Sequence, residues 1–296
     1  MLPKDVTSVC GETINALSID VEDYFQVAAF SRHVGYEEWD AWNARYSRVV
    51  QNTRKILDIF DSRNVKGTFF VLGWVAERHP GLVKEIEKRG HEIGCHGYSH
   101  QLIYKQSRKV FRQETLRAMG LLQDLSQSPV EGYRAASFSI CRRSEWALDI
   151  LHEAGFKYDS SIFPIRHDLY GMPGAPRVPY RISTGCGGKL VEFPMTTHRI
   201  MGWRMPVSGG GYFRLFPYCL TRHALKTINK RDKVPFMFYL HPWEIDPEQP
   251  RIPAGLLSRF RHYNNLGRCR ERLEKLLDDF TFSAVGDVLR RQALLN

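Results

Sequence analysis

Short apolar, β-rich runs alternate with helical patterns along this chain, and that alternation constrains its fold more than any other feature. Runs at 14–20, 67–72, 91–95, 130–134, 156–159, 190–193, 234–240 and 280–282 read as strands. Helical spacing lies between them: Val49, Ile56, Leu57 and Phe60; Pro80 to Lys88; Val110, Leu116, Leu122 and Leu125. Another helix runs from Ser144, placed as an N-cap, through Leu148 and Leu151 to a stop at Gly155. Parallel strands need a crossover between them, so this order predicts an α/β fold with a parallel sheet. About eight repeats point to closure, giving an irregular (β/α) barrel of about seven to eight strands. The stretch 164–211, with Gly171, Pro173, Gly174, Pro176, Pro179 and the Gly185–Gly188 turn, reads as long loops and hairpins on the rim.

Polar residues are not spread evenly over this frame. Asp20, His96, Arg134, Asp159 and His241 each fall at or just beyond the C-terminal end of a different predicted strand. In a β/α barrel that is the single face on which a site can be assembled. His96 and His100 are four residues apart, a spacing that in a helical turn brings both rings to one side, within reach of one cation. Glu22 and Asp23, after the first strand, are both candidates for the carboxylate ligand such a pair needs. Two histidines and one carboxylate leave a position open for water, the arrangement of a catalytic metal. Gly94 and Gly97 beside the histidines indicate close backbone approach.

Composition narrows the function classes. The 296 residues are 43% hydrophobic and 25% charged, which fits a globular chain with a full core. No apolar run approaches the roughly 18 residues of a membrane span. The N-terminus lacks the charged and apolar regions of a secretory signal, so a cytoplasmic location is expected. The six cysteines contain no C-x-x-C pair, and reduced thiols are expected; Cys95 is placed against the barrel wall rather than on a metal. A net charge of +10 invites a nucleic-acid reading, but Arg268, Arg270 and Arg272 fit the wet face of an amphipathic helix with Leu273, Leu276 and Leu277. No groove-reading motif accompanies them, so no nucleic-acid partner is expected. Peripheral attraction to an anionic membrane surface or an acidic polymer suits the charge better.

The ordered motifs LSIDVEDYFQV (17–27), GTFFVLG (67–73), HGYSH (96–100), YRAASFS (133–139), YDSS (158–161), VEFP (191–194) and LHPWE (240–244) resemble the NodB-homology polysaccharide deacetylases, carbohydrate esterase family 4. The subgroup associated with exopolysaccharide and exosortase loci is the most similar. The likeness runs over residues 14–245, which implies a deacetylase barrel there, an N-terminal extension over 1–13 and a C-terminal extension over 246–296 packed on the barrel. It implies that Asp20 is the general base and that His96 and His100 are metal ligands. Glu22 or Asp23 completes the set, because Val21 separates acids that are commonly adjacent in the family. Arg134 is implied to orient Asp20, and His241 to protonate the departing amine with Asp159 pairing to its ring. Ala136 stands where the family commonly has proline, and the motif around Asp159 is only partly present.

The activity so implied is hydrolysis of N-acetyl groups on N-acetylhexosamine units of a glycan, releasing acetate. It would use Zn2+, with Co2+ or Ni2+ as alternatives, since imidazole and carboxylate suit all three. A backbone N–H just after Arg134 is the expected oxyanion donor. Tyr24, Phe25, Trp39, Trp42, Trp74, Trp203 and Trp243 supply candidate sugar platforms, of which two or three are expected to line a groove. Two other readings share the fold: a metal-independent hydrolase of amides or cyclic imides, and a glycan-binding barrel without catalysis.

Overall fold

A computed structural model describes residues 13–167 and 170–296; Cys10 and all but the last residue of the predicted 1–13 extension lie outside them. The strands are β1 (Asn15–Val21), β2 (Thr68–Val71), β3 (Glu92–Cys95), β4 (Gly132–Tyr133), β5 (Tyr158–Asp159), β6 (Tyr180–Ser183), β7 (Lys189–Glu192), β8 (Thr197–Ile200), β9 (Trp203–Pro206), β10 (Met237–Leu240) and β11 (Phe282–Ser283). Helices α1 (Trp39–Tyr46), α2 (Val49–Asp61), α3 (Gly73–Arg78), α4 (Pro80–Lys88), α5 (Arg108–Leu125) and α6 (Ala147–Glu153) fall among the first five strands. Helices α7 (Gly210–Leu215), α8 (Tyr218–Thr227), α9 (Leu256–Tyr263), α10 (Leu266–Asp279) and α11 (Val285–Arg291) follow. None of the described helices is long and apolar enough to cross a membrane.

The main sheet has the order β10-β1-β2-β3-β4-β5-β7-β6, with β11 paired to the start of β1. All pairs are parallel except β6–β7. Every residue of β1 is buried, as expected for a strand covered on both faces. The result is the expected α/β fold, but the sheet is a curled half-barrel and strand pairing does not close it. Segment 194–209 fills the seam: Met237 N donates to Thr196 Oγ1 (2.7 Å), and Tyr239 N donates to the Ser208 carbonyl (2.7 Å). The free edge of β10 is thus satisfied by a loop backbone instead of a further strand.

Two apolar regions hold the sheet. The larger lies between its outer face and the surrounding helices, with Ile56 and Phe60 of α2, Leu82 and Ile86 of α4 and Leu122 of α5. The smaller fills the inside of the curl with Phe70, Tyr158, Phe163, Val191, Met237 and Tyr239, and α11 adds Val285, Val288 and Leu289 to it. The backbone N–H of Val285 donates to Thr68 Oγ1 (2.8 Å), and that of Gly286 to Glu92 Oε2 (3.1 Å). The chain's last helix therefore stops the N-terminal end of the curl and leaves the C-terminal end to the polar residues.

Register sets the level of those residues. Leu240 pairs with Ile19, so His241 follows at the height of Asp20. Asp20 pairs with Phe70, and Phe70 with Gly94. One step on, Val21, Val71, Cys95, Tyr133, Asp159 and Glu192 form a row across six strands. His96 and Arg134 are the next residues beyond it, so the predicted polar set gathers at one rim.

Candidate active site

At the end of β1 the chain turns tightly, with Glu22 N donating to the Asp20 carbonyl (3.0 Å). Both carboxylates are buried, and each faces a different set of partners. Asp20 Oδ1 accepts from Arg134 Nη1 at 2.6 Å. Arg134, itself wholly buried, also donates to Ser18 Oγ, the Ser160 carbonyl and Ser160 Oγ, and its guanidinium lies 4.2 Å from the Phe70 ring. Gly94 makes room for that ring, since a Cβ there would sit 2.5 Å from Phe70 Cδ1. A carboxylate bonded to a buried guanidinium is fixed in direction.

Glu22 is surrounded by rings instead. Its Oε2 is 2.7 Å from His100 Nε2, and its Oε1 accepts from Trp243 Nε1 (3.2 Å) and lies 3.6 Å from His241 Nε2. Burial pushes the Glu22 carboxyl up, but His100, His241 and His96 outweigh it and hold the group below its ordinary range. His96 Nδ1 is 2.8 Å from the Arg134 carbonyl, so as donor there it turns Nε2 inward. Burial, partly opposed by Asp20, lowers His96 to about 4 and keeps the ring neutral.

Ligand atoms of Glu22, His96 and His100 lie within 4.8 Å of one another, all buried. His100 Nδ1 has no hydrogen-bond partner among the described residues, and Glu22 Oε2 meets only His100 Nε2. A buried polar atom without a partner is costly, and a carboxylate oxygen beside two imidazoles matches what a divalent cation of the zinc type takes. The residues present therefore fit a metal. The two histidines do not converge through a helical turn, however. Residues 96–100 form a loop in which Gly97 (φ +74°) and His100 (φ +51°) take left-handed backbone, and Gly73 N and Trp74 N at the start of α3 bond the Gly97 and Tyr98 carbonyls.

Asp23 stands outside this cluster. Its Oδ2 accepts from Ser47 Oγ (2.8 Å), Arg48 N (2.8 Å) and Val49 N (3.1 Å), and its Oδ1 from Tyr24 N (2.9 Å). It ties the turn after β1 to the start of α2, a structural task that spends its oxygens.

His241 closes the site from β10, with 17% of its side chain exposed, which leaves the ring reachable from outside. Its Nε2 is 4.0 Å from Asp20 Oδ2, and its Nδ1 is 2.9 Å from Glu244 Oε2. The expected pairing with Asp159 is replaced by this contact, because Asp159 is held elsewhere. Asp159 Oδ1 accepts from Ser161 Oγ (2.5 Å), whose oxygen accepts from Ala135 N (2.8 Å). Asp159 also lies beside its register partner Glu192, and burial of the two acids together drives both carboxyls upward, Asp159 to about 6. The same Ala135–Ser161 bond occupies the amide expected to serve as oxyanion donor.

Two functional neighbours escaped the sequence reading. Glu244 is fully buried and bonded through Oε1 to Arg214 Nε (2.7 Å), and Arg214 donates its remaining N–H groups to the carbonyls of Arg261, His262 and Asn264. Burial raises the Glu244 carboxyl, but Arg214 and His241 prevail and hold it at about 2. Burial likewise lowers His241, while Glu22, Glu244 and Asp20 together lift it to about 9. A signal was present, since Glu244 follows His241 by three residues in LHPWE, where Pro242 opens a helical turn. Of the candidate platforms, Trp243 stacks on His241 (5.0 Å, 20°), while Tyr24, Phe25, Trp39 and Trp74 are core and Trp203 lies on the β8–β9 hairpin.

Comparison with known proteins matches residues 40–158 to the family model for polysaccharide deacetylase, and 160–290 to a model described as a domain of unknown function, DUF3473. The first span carries His96, His100 and Arg134, the second Glu192, Arg214, His241 and Glu244, and Asp159 falls between them. A peptidoglycan-N-acetylglucosamine deacetylase of Bacillus cereus is 42% identical over 77 residues, 26% of this chain and 28% of that protein. A peptidoglycan deacetylase of Helicobacter pylori is 31% identical over 156 residues, 53% of this chain and 48% of that protein. The chain thus spans less than half the length of either relative. Among solved structures, a Mycobacterium smegmatis protein classed with the polysaccharide deacetylases superposes with a TM-score of 0.61 at 21% identity, over 98% of this chain and 94% of that one, which shows a common fold. Over residues 40–158 the chain is thus similar to the polysaccharide deacetylase family, and along its length it shares the fold of the Mycobacterium smegmatis protein.

Proposed function

We propose that this protein is a metal-dependent N-deacetylase that hydrolyses the acetamide of N-acetylhexosamine units in a bacterial glycan and releases acetate. The observation that carries the reading is the placement of the buried Asp20 carboxylate and the His241 imidazole 4.0 Å apart, beside the Glu22, His96 and His100 cluster. The names of the curated relatives supply the substrate class, N-acetylglucosamine in a cell-wall polymer.

Glu22, His96 and His100 would hold the cation, which when bound supplies Lewis acidity for a carbonyl oxygen and acidifies water. Asp20 keeps Oδ1 on Arg134 and has Oδ2 free to take a proton from the attacking water. His241 keeps Nδ1 on Glu244 and presents Nε2 to the leaving nitrogen, where it gives up a proton as the C–N bond breaks. An amine anion is a poor leaving group, so acid and base must stand on either side of the same carbonyl. Arg134 fixes the direction of the base, and Glu244 helps hold the acid as a cation.

Acetate release from an acetylated chito-oligosaccharide by chelator-stripped protein, before and after return of zinc, cobalt or nickel, tests the reading. Release should be lost on stripping and restored by one of these ions, and His96→Ala with His100→Ala should bind no metal while keeping its circular dichroism. Full turnover by the stripped protein would reject metal dependence and favour a metal-independent amide hydrolase.

A further inference from the structure

The β8–β9 hairpin forms its own two-stranded sheet at the seam of the half-barrel, and its composition contradicts its surroundings. Met201 and Gly202 are its turn, both at positive φ (46° and 86°), as a tight two-residue hairpin turn requires. Asparagine or glycine ordinarily takes the first of these places; a methionine there is strained, and this one is 95% exposed. Beside it, Trp203 is 82% exposed and pairs across the ladder with Ile200, 40% exposed. Among the described residues, Met201 and Trp203 are left largely uncovered.

Behind the apolar tip the charge is of one sign. Arg199 pairs directly with Arg204, a like-charged cross-strand pair that disfavours the hairpin by itself. Burial, then the charges of Arg177 and Arg199, hold the Arg204 guanidinium below its ordinary range, and Arg204 Nη1 donates to carbonyls of Pro164 and Ala175. Arg177 and Arg231 both pair with Asp232 (3.5 and 2.9 Å). The hairpin is hydrogen-bonded at its base to Met237, the end of β10 opposite His241, and so stands apart from the catalytic rim.

We propose that this hairpin is an interfacial anchor that places Met201 and Trp203 in the headgroup region of an anionic lipid bilayer. An apolar, aromatic tip backed by arginines suits that zone on two counts. Tryptophan favours the boundary between water and acyl chains, and cations behind it meet the negative surface. The strain at Met201 and the repulsion between Arg199 and Arg204 then have a return in the bound state that the free protein does not show. The assignment is independent of the reaction proposed above.

Sedimentation with vesicles of phosphatidylcholine alone, or mixed with phosphatidylglycerol, tests it. The full chain should bind the mixed vesicles and leave them as salt is raised. Met201→Ser with Trp203→Ser should weaken that binding by roughly ten-fold or more, and Arg199→Ser should weaken it for mixed vesicles alone. The melting temperature of each variant should not fall below the parent value, because the altered side chains are exposed and Arg199→Ser removes a repulsion. Lipids brominated along the acyl chain should quench the parent's fluorescence more than that of Trp203→Phe. Equal binding by the double variant would overturn the proposal, as would no binding by the parent. A lipid-free dimer that the double variant abolishes would overturn it too, assigning the tip to a second copy of the chain.

Discussion

Asp20 and Glu22 are two residues apart and carry different duties, and substitution separates them. Asp20 faces Arg134 and His241, whereas Glu22 faces the two histidines of the metal cluster. Asp20→Asn should therefore reduce acetate release by about a hundred-fold or more while bound metal, measured by elemental analysis, stays at the parent level. Glu244→Gln removes a charge that helps lift His241 to about 9. As a general acid His241 works only while protonated, so activity should fall as pH rises through its pKa. Losing Glu244 lowers that pKa, and the alkaline limb of kcat should move to lower pH, with kcat falling more than KM rises. Asp20, His241 and the histidine pair were legible as residue types at strand ends. The choice of Glu22 over Asp23 was not, because it depends on a turn hydrogen bond and on Ser47 and the α2 backbone claiming Asp23. Asp159 was misplaced for a similar reason: its partner Glu192 belongs to β7, which pairs with β5 by topology that no local pattern announces.

At the scale of elements, His91 links the turn before β3 to the sheet and packs between Phe60 and Phe69 (ring centroids 5.8 and 4.9 Å). Its Nδ1 accepts from Gly67 N (3.3 Å), which requires a neutral ring, and burial lowers its pKa from 6.5 to about 4. A lowered folded pKa gives stability that is complete above pH 6.5 and is lost as pH falls toward 4. That gap corresponds to at most about 3 kcal/mol. His91→Gln should flatten the unfolding free energy over that window, read by urea titration at several pH values. The eight expected strands all formed near their predicted places, since each is a short apolar run between breakers. The elements that sequence reading left as rim loops, β6, β8 and β9, are amphipathic or exposed and lack an apolar signature. Ser144 also departed from its expected role: its Oγ bonds Cys141 N (2.9 Å) and the Ser139 carbonyl (2.8 Å), and α6 begins three residues later.

For the molecule as a whole, α11 is the stopper of the half-barrel. Leu289 is wholly buried among the residues inside the curl, far in sequence from most of them. Leu289→Ala should cost about 2–5 kcal/mol by leaving a cavity there, measured by thermal or urea unfolding. Closure was the part of the architecture that repeat counting overstated. Counting strands cannot reveal that a loop backbone, through Thr196 and Ser208, takes the place of one more strand.

Register carries one more consequence, in time rather than space. The strand bearing His241 pairs with the strand bearing Asp20, and Ser18 meets Met237 across 219 residues of intervening chain. Contacts of such long sequence separation are slow to form, and during synthesis β1 must wait for β10 while nearly the whole chain is made. Asp20 therefore has no His241 beside it until the two ends of the sheet have met. Under the proposed reaction, turnover is a report of completed folding, and a nascent or truncated chain ending before β10 holds Glu22, His96 and His100 without His241.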